Sequence, residues 1–269
     1  MRVPIYQIDA FTGRLFGGNP AAVCVLDRWP EDSVLQSVAA ENNLSETAFL
    51  VGGNGRYRLR WFTPKVEVDL CGHATLASAY VVFREIEPAL REVVFDSRSG
   101  ELRVSREDEF LTLDFPASHG QTSDCPNLLA QGLGRNPLEV LRGALYLCAF
   151  ADEEDIRSLQ PDFSALAKLD TLGVVVTAPG REVDFVSRVF APRVGIPEDP
   201  VTGSAHCLLT TYWAARTGKT RFTARQVSSR GGELACELRG ERVLISGRAV
   251  KYLQGEILLP SFTEESTNP

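Results

Sequence analysis

The sequence lacks the patterns that mark several large classes of protein. No apolar run approaches the roughly 18 residues of a membrane span, and residues 1–6 contain no apolar segment of signal-peptide length. Lysine and arginine are not clustered and the net charge is −7, which argues against a nucleic-acid surface. We therefore expect a soluble, cytoplasmic protein that binds neither nucleic acid nor a membrane.

Patterns typical of metal sites and disulfides are also absent. The chain has six cysteines and three histidines, and no Cys-x-x-Cys or His-x-x-x-His spacing occurs among them. The histidines, His73, His119 and His206, lie far apart in the sequence, so their spacing does not predict a metal site. Several cysteines lie in apolar runs, which favours buried free thiols.

The length of 269 residues and the 44% hydrophobic content allow one large domain or two small ones. Short strand-like segments fill most of the chain, and residues 138–147 are predicted to form one of them. A polar stretch at 116–126 is predicted to be a linker. The expected division is an N-terminal lobe, residues 1–118, and a C-terminal lobe, residues 119–269, whose last strand is free to return to the first lobe.

Two segments, 72–83 and 204–215, carry apolar residues on nearly every helical face, which indicates a buried helix in each lobe. A glycine, Gly72 or Gly203, stands at each helix start, and Gly218 is expected to end the second helix. Helix N-termini offer unpaired N–H groups and partial positive charge, so they attract carboxylates. If the two lobes face each other, both helix starts border one cleft.

Four stretches resemble the motifs of a known family and occur in the family's order. They are FTGRLFGGNPAAV at 11–23, NLSETAF at 43–49, CGHAT at 71–75 and EDPVTGSA at 198–205. On these motifs the chain resembles the PhzF-like isomerases of phenazine biosynthesis, which are relatives of diaminopimelate epimerase. The resemblance implies an α/β (α+β) fold of two similar lobes, each a mixed β-sheet wrapped around a central buried helix. It also implies a homodimer and acid–base chemistry with no cofactor and no metal.

The resemblance assigns catalytic roles to Glu46, Asp199 and His73. The apolar residues 48–50 beside Glu46 would desolvate its carboxyl group and raise its pKa, which suits a general acid–base. Each residue also has a simpler reading: Glu46 as a strand residue facing water and Asp199 as a turn former before a proline. His73 at a helix start is often only a cap.

The substrate-binding residues implied by the resemblance are Gly72, Gly203, Ser204, Asn19 and Thr202. Ser204 and the helix-start amides would hold a substrate carboxylate. The simpler readings are that Ser204 is a helix N-cap and that Asn19 is a turn residue in its Gly-Asn-Pro sequence.

Cys71 departs from the pattern of diaminopimelate epimerase, which works with two thiols. Cys71 precedes a glycine as the first thiol of that enzyme does, but Pro200 replaces the second, so a two-thiol mechanism is not available. A helix N-terminus lowers a thiol pKa, yet packing is the simpler role for Cys71, and we leave it outside the catalytic set.

The favoured function is a PhzF-like isomerase in which Glu46 moves a proton between carbons of a small carboxylate metabolite. One alternative is an amino-acid-type epimerase or racemase, with Glu46 opposed by Asp199 or Cys71. The other is a non-catalytic protein that binds a metabolite or a partner.

Overall fold

The alternating and apolar segments of the sequence form strands in the computed structural model, which describes residues 1–259. The described residues contain these strands: β1 (Arg2–Ala10), β2 (Asn19–Leu26), β3 (Glu46–Gly53), β4 (Arg56–Phe62), β5 (Glu67–Val68), β6 (Glu92–Ser97), β7 (Gly100–Glu107), β8 (Phe110–Pro116), β9 (Gln121–Thr122), β10 (Glu139–Arg142), β11 (Tyr146–Ala149), β12 (Val174–Pro179), β13 (Phe185–Ala191), β14 (Ile196–Asp199), β15 (Arg221–Gln226), β16 (Gly232–Arg239), β17 (Arg242–Gly247) and β18 (Ala249–Leu258).

The same residues contain these α-helices: α1 (Asp32–Asn42), α2 (Gly72–Val81), α3 (Asn127–Leu133), α4 (Glu153–Ser158), α5 (Phe163–Leu166) and α6 (Gly203–Thr217). A π-helical turn, Val82–Ile86, continues α2, and a 3-10 turn, Pro192–Val194, precedes β14. Helix α6 ends where the sequence predicts, because Gly218 adopts the left-handed conformation with φ 72°. Within residues 1–259, no helix combines the length and hydrophobicity needed to cross a membrane.

Two predictions of local structure need correction. Residues 138–147 do not form a single strand: β10 and β11 are an antiparallel hairpin whose turn contains Gly143, with the Gly143 N–H donating to the Leu145 carbonyl at 3.0 Å. The predicted linker at 116–126 contains strand β9, which pairs with β10. Local apolar content indicated strand structure in the first case but did not locate the turn.

The strand order repeats between the two halves of the molecule. The first sheet runs β18-β1-β2-β3-β4-β6-β7-β8, and only β2–β3 and β4–β6 are parallel. The second runs β9-β10-β11-β12-β13-β15-β16-β17, and only β11–β12 and β13–β15 are parallel. The antiparallel pair β8–β17 joins the two sheets. The predicted mixed α and β fold of two similar lobes is therefore confirmed.

The last strand, β18, lies antiparallel to the first strand, β1. The predicted division at residues 118 and 119 falls in the connection between β8 and β9, and this boundary stays a prediction. Residues 260–269 of the predicted C-terminal lobe lie outside the described part of the chain.

Helices α2 and α6 are buried because both are apolar on most faces. One hydrophobic core continues between them and includes Ala74 and Leu76 of α2 and Leu208 and Leu209 of α6. Helix α1 lies outside this core and buries only one face, formed by residues 35, 38 and 39, against a smaller cluster. The two central helices therefore hold their N-termini rigidly.

The starts of α2 and α6 touch each other. A Cβ atom added to Gly72 would lie 3.4 Å from the Cα of Gly203, and one added to Gly203 would lie 3.6 Å from the Cα of Gly72. Such a close backbone approach favours residues without a side chain. The helix starts of the two lobes are therefore adjacent, and the cleft expected between them stays a prediction.

Candidate active site

Glu46 is the first residue of β3 and lies opposite Ala21 of the parallel strand β2. Its side chain does not face water: the residue is only 8% exposed, and its Oε2 lies 3.2 Å from Nε2 of His73. Burial, reinforced by the charge of Asp199 and partly opposed by a hydrogen bond with the Cys71 thiol, raises the pKa of the Glu46 carboxyl to about 8. The solvent-facing reading of Glu46 is therefore wrong.

His73 is the second residue of α2 and is buried. Desolvation lowers the pKa of its imidazole to about 3, so the ring is neutral at physiological pH. Its Nδ1 faces the amide nitrogen of Asn19 at 3.3 Å and the thiol of Cys71 at 3.5 Å. On the other side of the ring, Nε2 faces Glu46 Oε2, but the two atoms do not have hydrogen-bond geometry.

Asn19 connects the two lobes at the site. It is the fully buried first residue of β2, not a turn residue. The two protons of its amide nitrogen have near partners in Asp199 Oδ1 at 2.7 Å and the Val201 carbonyl at 2.9 Å. Asn19 thus fixes the segment that leads into α6 against the first lobe.

Asp199 ends β14, and donors surround its carboxyl group. Asn19 donates to Oδ1, and the Thr202 hydroxyl donates a short hydrogen bond to Oδ2. Burial raises the pKa of Asp199 to about 6, which these two hydrogen bonds partly oppose and nearby Glu198 reinforces. These two donors fix the position of the Asp199 carboxyl, and its role stays a prediction.

Gln226 is a site residue that the sequence analysis missed. Its amide nitrogen donates to the Asp199 carbonyl at 2.7 Å, and its Oε1 accepts from the Thr202 N–H at 2.9 Å. One available signal was alternation: Phe222, Ala224 and Gln226 occupy the same buried face of β15. A polar residue on that face needs partners.

The helix starts supply the remaining groups. The N-cap of α6 is Thr202, so the reading of Ser204 as an N-cap is wrong. Ser204 is exposed, and its backbone nitrogen would lie 3.6 Å from a Cβ added to Gly72. Gly72 and Gly203 themselves are buried. This arrangement leaves a hydroxyl and helix-start amides beside one another, as a carboxylate ligand requires.

Cys71, which stays outside the predicted catalytic set, lies beside Glu46 and His73. It is the N-cap of α2, it is buried, and its thiol, an oxygen of Glu46 and a ring nitrogen of His73 all lie within 4.8 Å of one another. Burial, reinforced by the Glu46 charge, holds the pKa of the Cys71 thiol well above its usual range. The lowering expected from a helix N-terminus is therefore wrong, and the thiol is neutral.

The chain as a whole matches known proteins. Residues 8–255 match the PhzC-PhzF family, described as phenazine biosynthesis-like proteins. The chain belongs to this family. An uncharacterized isomerase of Pseudomonas aeruginosa is 53% identical over 96% of this chain and 100% of its own length. A PhzF-family phenazine biosynthesis protein of Enterococcus faecalis has a crystal structure that superposes with a TM-score of 0.93, at 47% identity over 96% of this chain and 100% of that chain.

The PhzC-PhzF fold extends to more distant proteins. A probable proline racemase of Agrobacterium radiobacter has a TM-score of 0.64 at 11% identity, covering 96% of this chain and 93% of that one. At this identity only the fold is shared.

The largest of the described cavities in this PhzC-PhzF protein, about 570 Å³, does not contain Glu46. The cavity lies beside the candidate site. Phe11, which contacts Gly203, and Gln226 line the cavity. One of the arginines that line the cavity is Arg230. It forms an ion pair with Asp9 and donates hydrogen bonds to the backbone carbonyls of residues 17 and 18, just before Asn19. Glu46 and His73 are instead buried, close to the contact between the two helix starts.

Proposed function

We propose that this chain is a cofactor-independent isomerase that moves a proton between carbons of a small carboxylate substrate, with Glu46 as the acid–base. The observation that carries the proposal is the placement of the buried Glu46 carboxyl against neutral His73, beside the junction of two helix starts. Membership in a family whose relatives are named isomerases supports it.

The proposed chemistry begins with ionised Glu46, which takes a proton from one carbon of the substrate. The carboxylic acid formed then returns that proton to a different carbon, so a double bond moves and the enzyme ends unchanged. A carboxyl with a pKa of about 8 suits both steps near neutral pH, because neither protonation state is strongly favoured. The neutral His73 ring, 3.2 Å from Glu46, would restrict the position of the carboxyl.

The substrate carboxylate is proposed to lie at the helix starts. The backbone N–H groups after Gly72 and Gly203, together with the exposed Ser204 hydroxyl, would bind it and stabilise charge that develops during proton transfer. Asp199, fixed by Asn19 and Thr202, would orient the reacting carbons or relay a proton. As the resemblance implies, we further propose a homodimer that acts in the cytoplasm.

A second candidate function is an epimerase or racemase on an amino-acid-like substrate. The observation that favours it is the contact between Cys71 and Glu46, which provides a neutral thiol as a second proton donor near the carboxyl. The fold shared with a probable proline racemase is compatible with either reaction.

Proton NMR in deuterated water tests both proposals. The protein is incubated with small amino and hydroxy carboxylates, including a dihydro-hydroxyanthranilate-type compound, and each carbon is followed. Deuterium entry with a shifted double bond supports the isomerase, whereas entry at Cα alone supports the epimerase. Binding of a panel member without exchange at any carbon would support the non-catalytic alternative.

A further inference from the structure

Glu46, Cys71 and His73 form a compact set of metal-ligating groups that histidine spacing did not predict. One ligand atom from each lies within 4.8 Å of the other two. The residues are 8%, 7% and 5% exposed, respectively. The set joins strand β3 to the start of α2, two elements held in place by the core.

Two of these atoms lack the hydrogen-bond partners that buried polar groups normally have. Glu46 Oε2 and His73 Nε2 lie 3.2 Å apart, yet neither has a partner with hydrogen-bond geometry. Two unsatisfied polar atoms that face each other in a buried site are a pair that a cation would bridge.

The donor types select the kind of cation. A thiol, an imidazole and a carboxylate suit Zn²⁺, whereas Mg²⁺ and Ca²⁺ prefer oxygen ligands alone. Around tetrahedral zinc, such donor atoms lie about 3.3 to 3.6 Å apart. The 3.2 Å between Glu46 Oε2 and His73 Nε2 is close to that spacing, whereas the 3.5 Å contact of the Cys71 thiol is to the other ring nitrogen, Nδ1. The three atoms that one ion would join lie within 4.8 Å of one another, so small side-chain adjustments would bring them to the tetrahedral spacing.

We propose that Glu46, Cys71 and His73 bind one Zn²⁺ ion when substrate is absent, and that this ion inhibits the enzyme reversibly. Binding displaces to solvent the thiol proton of Cys71 and any proton on the Glu46 carboxyl, and the neutral His73 ring keeps its one proton on Nδ1, so that a thiolate, a carboxylate and Nε2 supply three protein ligands. The inhibition rests on the proposed function, because the ion would occupy the Glu46 carboxyl. The binding itself does not depend on it.

The test of binding uses Co²⁺ as a spectroscopic substitute, followed by displacement with Zn²⁺. Wild type is expected to bind one Co²⁺ with a thiolate-to-cobalt charge-transfer band in the near ultraviolet, and Zn²⁺ is expected to abolish the band. Cys71→Ser should lose the band. The matched control, Cys125→Ser, removes a half-buried thiol outside the set and should keep it.

A second variant covers the case in which Cys71→Ser does not fold. His73→Gln retains the thiol, so it should keep a charge-transfer band but bind Co²⁺ at least tenfold more weakly. Absence of a thiolate band in wild type would overturn the proposal, as would a band that persists in Cys71→Ser.

The proton-exchange assay separates this proposal from the proposed function. Exchange that Zn²⁺ stops and a chelator restores would support the inhibition. Exchange that continues at the same rate when Zn²⁺ has abolished the cobalt band would contradict the inhibition while leaving the metal site. Exchange without a band would contradict the metal site alone.

Discussion

Asn19 donates a 2.7 Å hydrogen bond to Asp199, although the two residues lie 180 positions apart in the chain. Asn19 is the first residue of β2, and Asp199 is the last residue of β14, just before α6. This single amide therefore ties the two lobes together where their central helices meet. The geometry of Asp199 depends on a residue of the opposite lobe.

Replacing Asn19 with alanine should destabilise the protein and disturb the site. The change removes the donor to Asp199 and to the Val201 carbonyl, and a lost buried partner costs about 1–3 kcal/mol. Urea unfolding measures the loss. Asn136→Ala, at an exposed position, should stay within about 0.5 kcal/mol of wild type. Equal effects of the two variants would contradict the bridging role.

Asp199→Asn should lower the proton-exchange rate without unfolding the protein. The substitution keeps the shape of the side chain but removes a titrating carboxyl, and loss of such a group typically costs about 10²- to 10⁴-fold in rate. The control is Asp170→Asn, because the Asp170 side chain is 89% exposed. An Asp199→Asn protein with a wild-type rate would show that this carboxyl only shapes the turn.

Valine at Gly72 or Gly203 should separate the two helix starts. A Cβ atom at Gly72 would lie 3.4 Å from the Gly203 backbone, and one at Gly203 would lie 3.4 Å from the Phe11 ring. The methyl groups of valine extend further, so we expect a destabilisation of about 1–3 kcal/mol and a large loss of proton exchange. Gly53→Val is the matched control, because nothing lies within 4 Å of its added Cβ. Thermal unfolding and exchange assays on all three variants check this. Full activity in the Gly72 and Gly203 variants would exclude a tight helix junction from the mechanism.

His206 should make stability depend on pH. It is fully buried in α6 and bonded to the Thr202 carbonyl at 2.8 Å, and desolvation lowers its pKa from 6.5 to about 4. The unfolded chain therefore binds this proton more readily. The stabilisation is complete above about pH 6.5 and is lost as the pH falls through about 4, with a total of about 3 kcal/mol.

The His206→Asn variant isolates this contribution from that of the carboxyl groups. Its free energy of unfolding should fall less steeply than that of wild type between pH 6.5 and 4. Unfolding curves in urea at several pH values supply the comparison. Parallel pH dependences in the two proteins would show that His206 does not titrate as its burial implies.

Local pattern predicted part of the fold and of the site. Segments that are apolar on nearly every helical face predicted both central helices, and Gly218 predicted the end of α6. These features depend only on residues that are near one another in the sequence. The motifs pointed to Glu46, Asn19 and Asp199, which the structure brings to one place. Their individual roles stay predictions.

Features that depend on distant contacts were missed. Gln226 is a site residue only because β15 carries it to the start of α6, more than 20 residues away in sequence. Burial raises the pKa of Cys71, and β3 adds to the rise by bringing the charge of Glu46 beside it; together they outweigh the local effect of the helix terminus. Neither contact is visible in the sequence around the residue.

Deuterium exchange in wild type and Glu46→Gln tests the central claim most directly. With a substrate that wild type exchanges in deuterated water, Glu46→Gln should lose exchange by at least about 10²-fold. Glu41→Gln, an exposed change on α1, should retain the wild-type rate. Circular dichroism verifies that all three proteins are folded. A folded Glu46→Gln protein that exchanges at the wild-type rate would contradict the assignment of Glu46 as the acid–base.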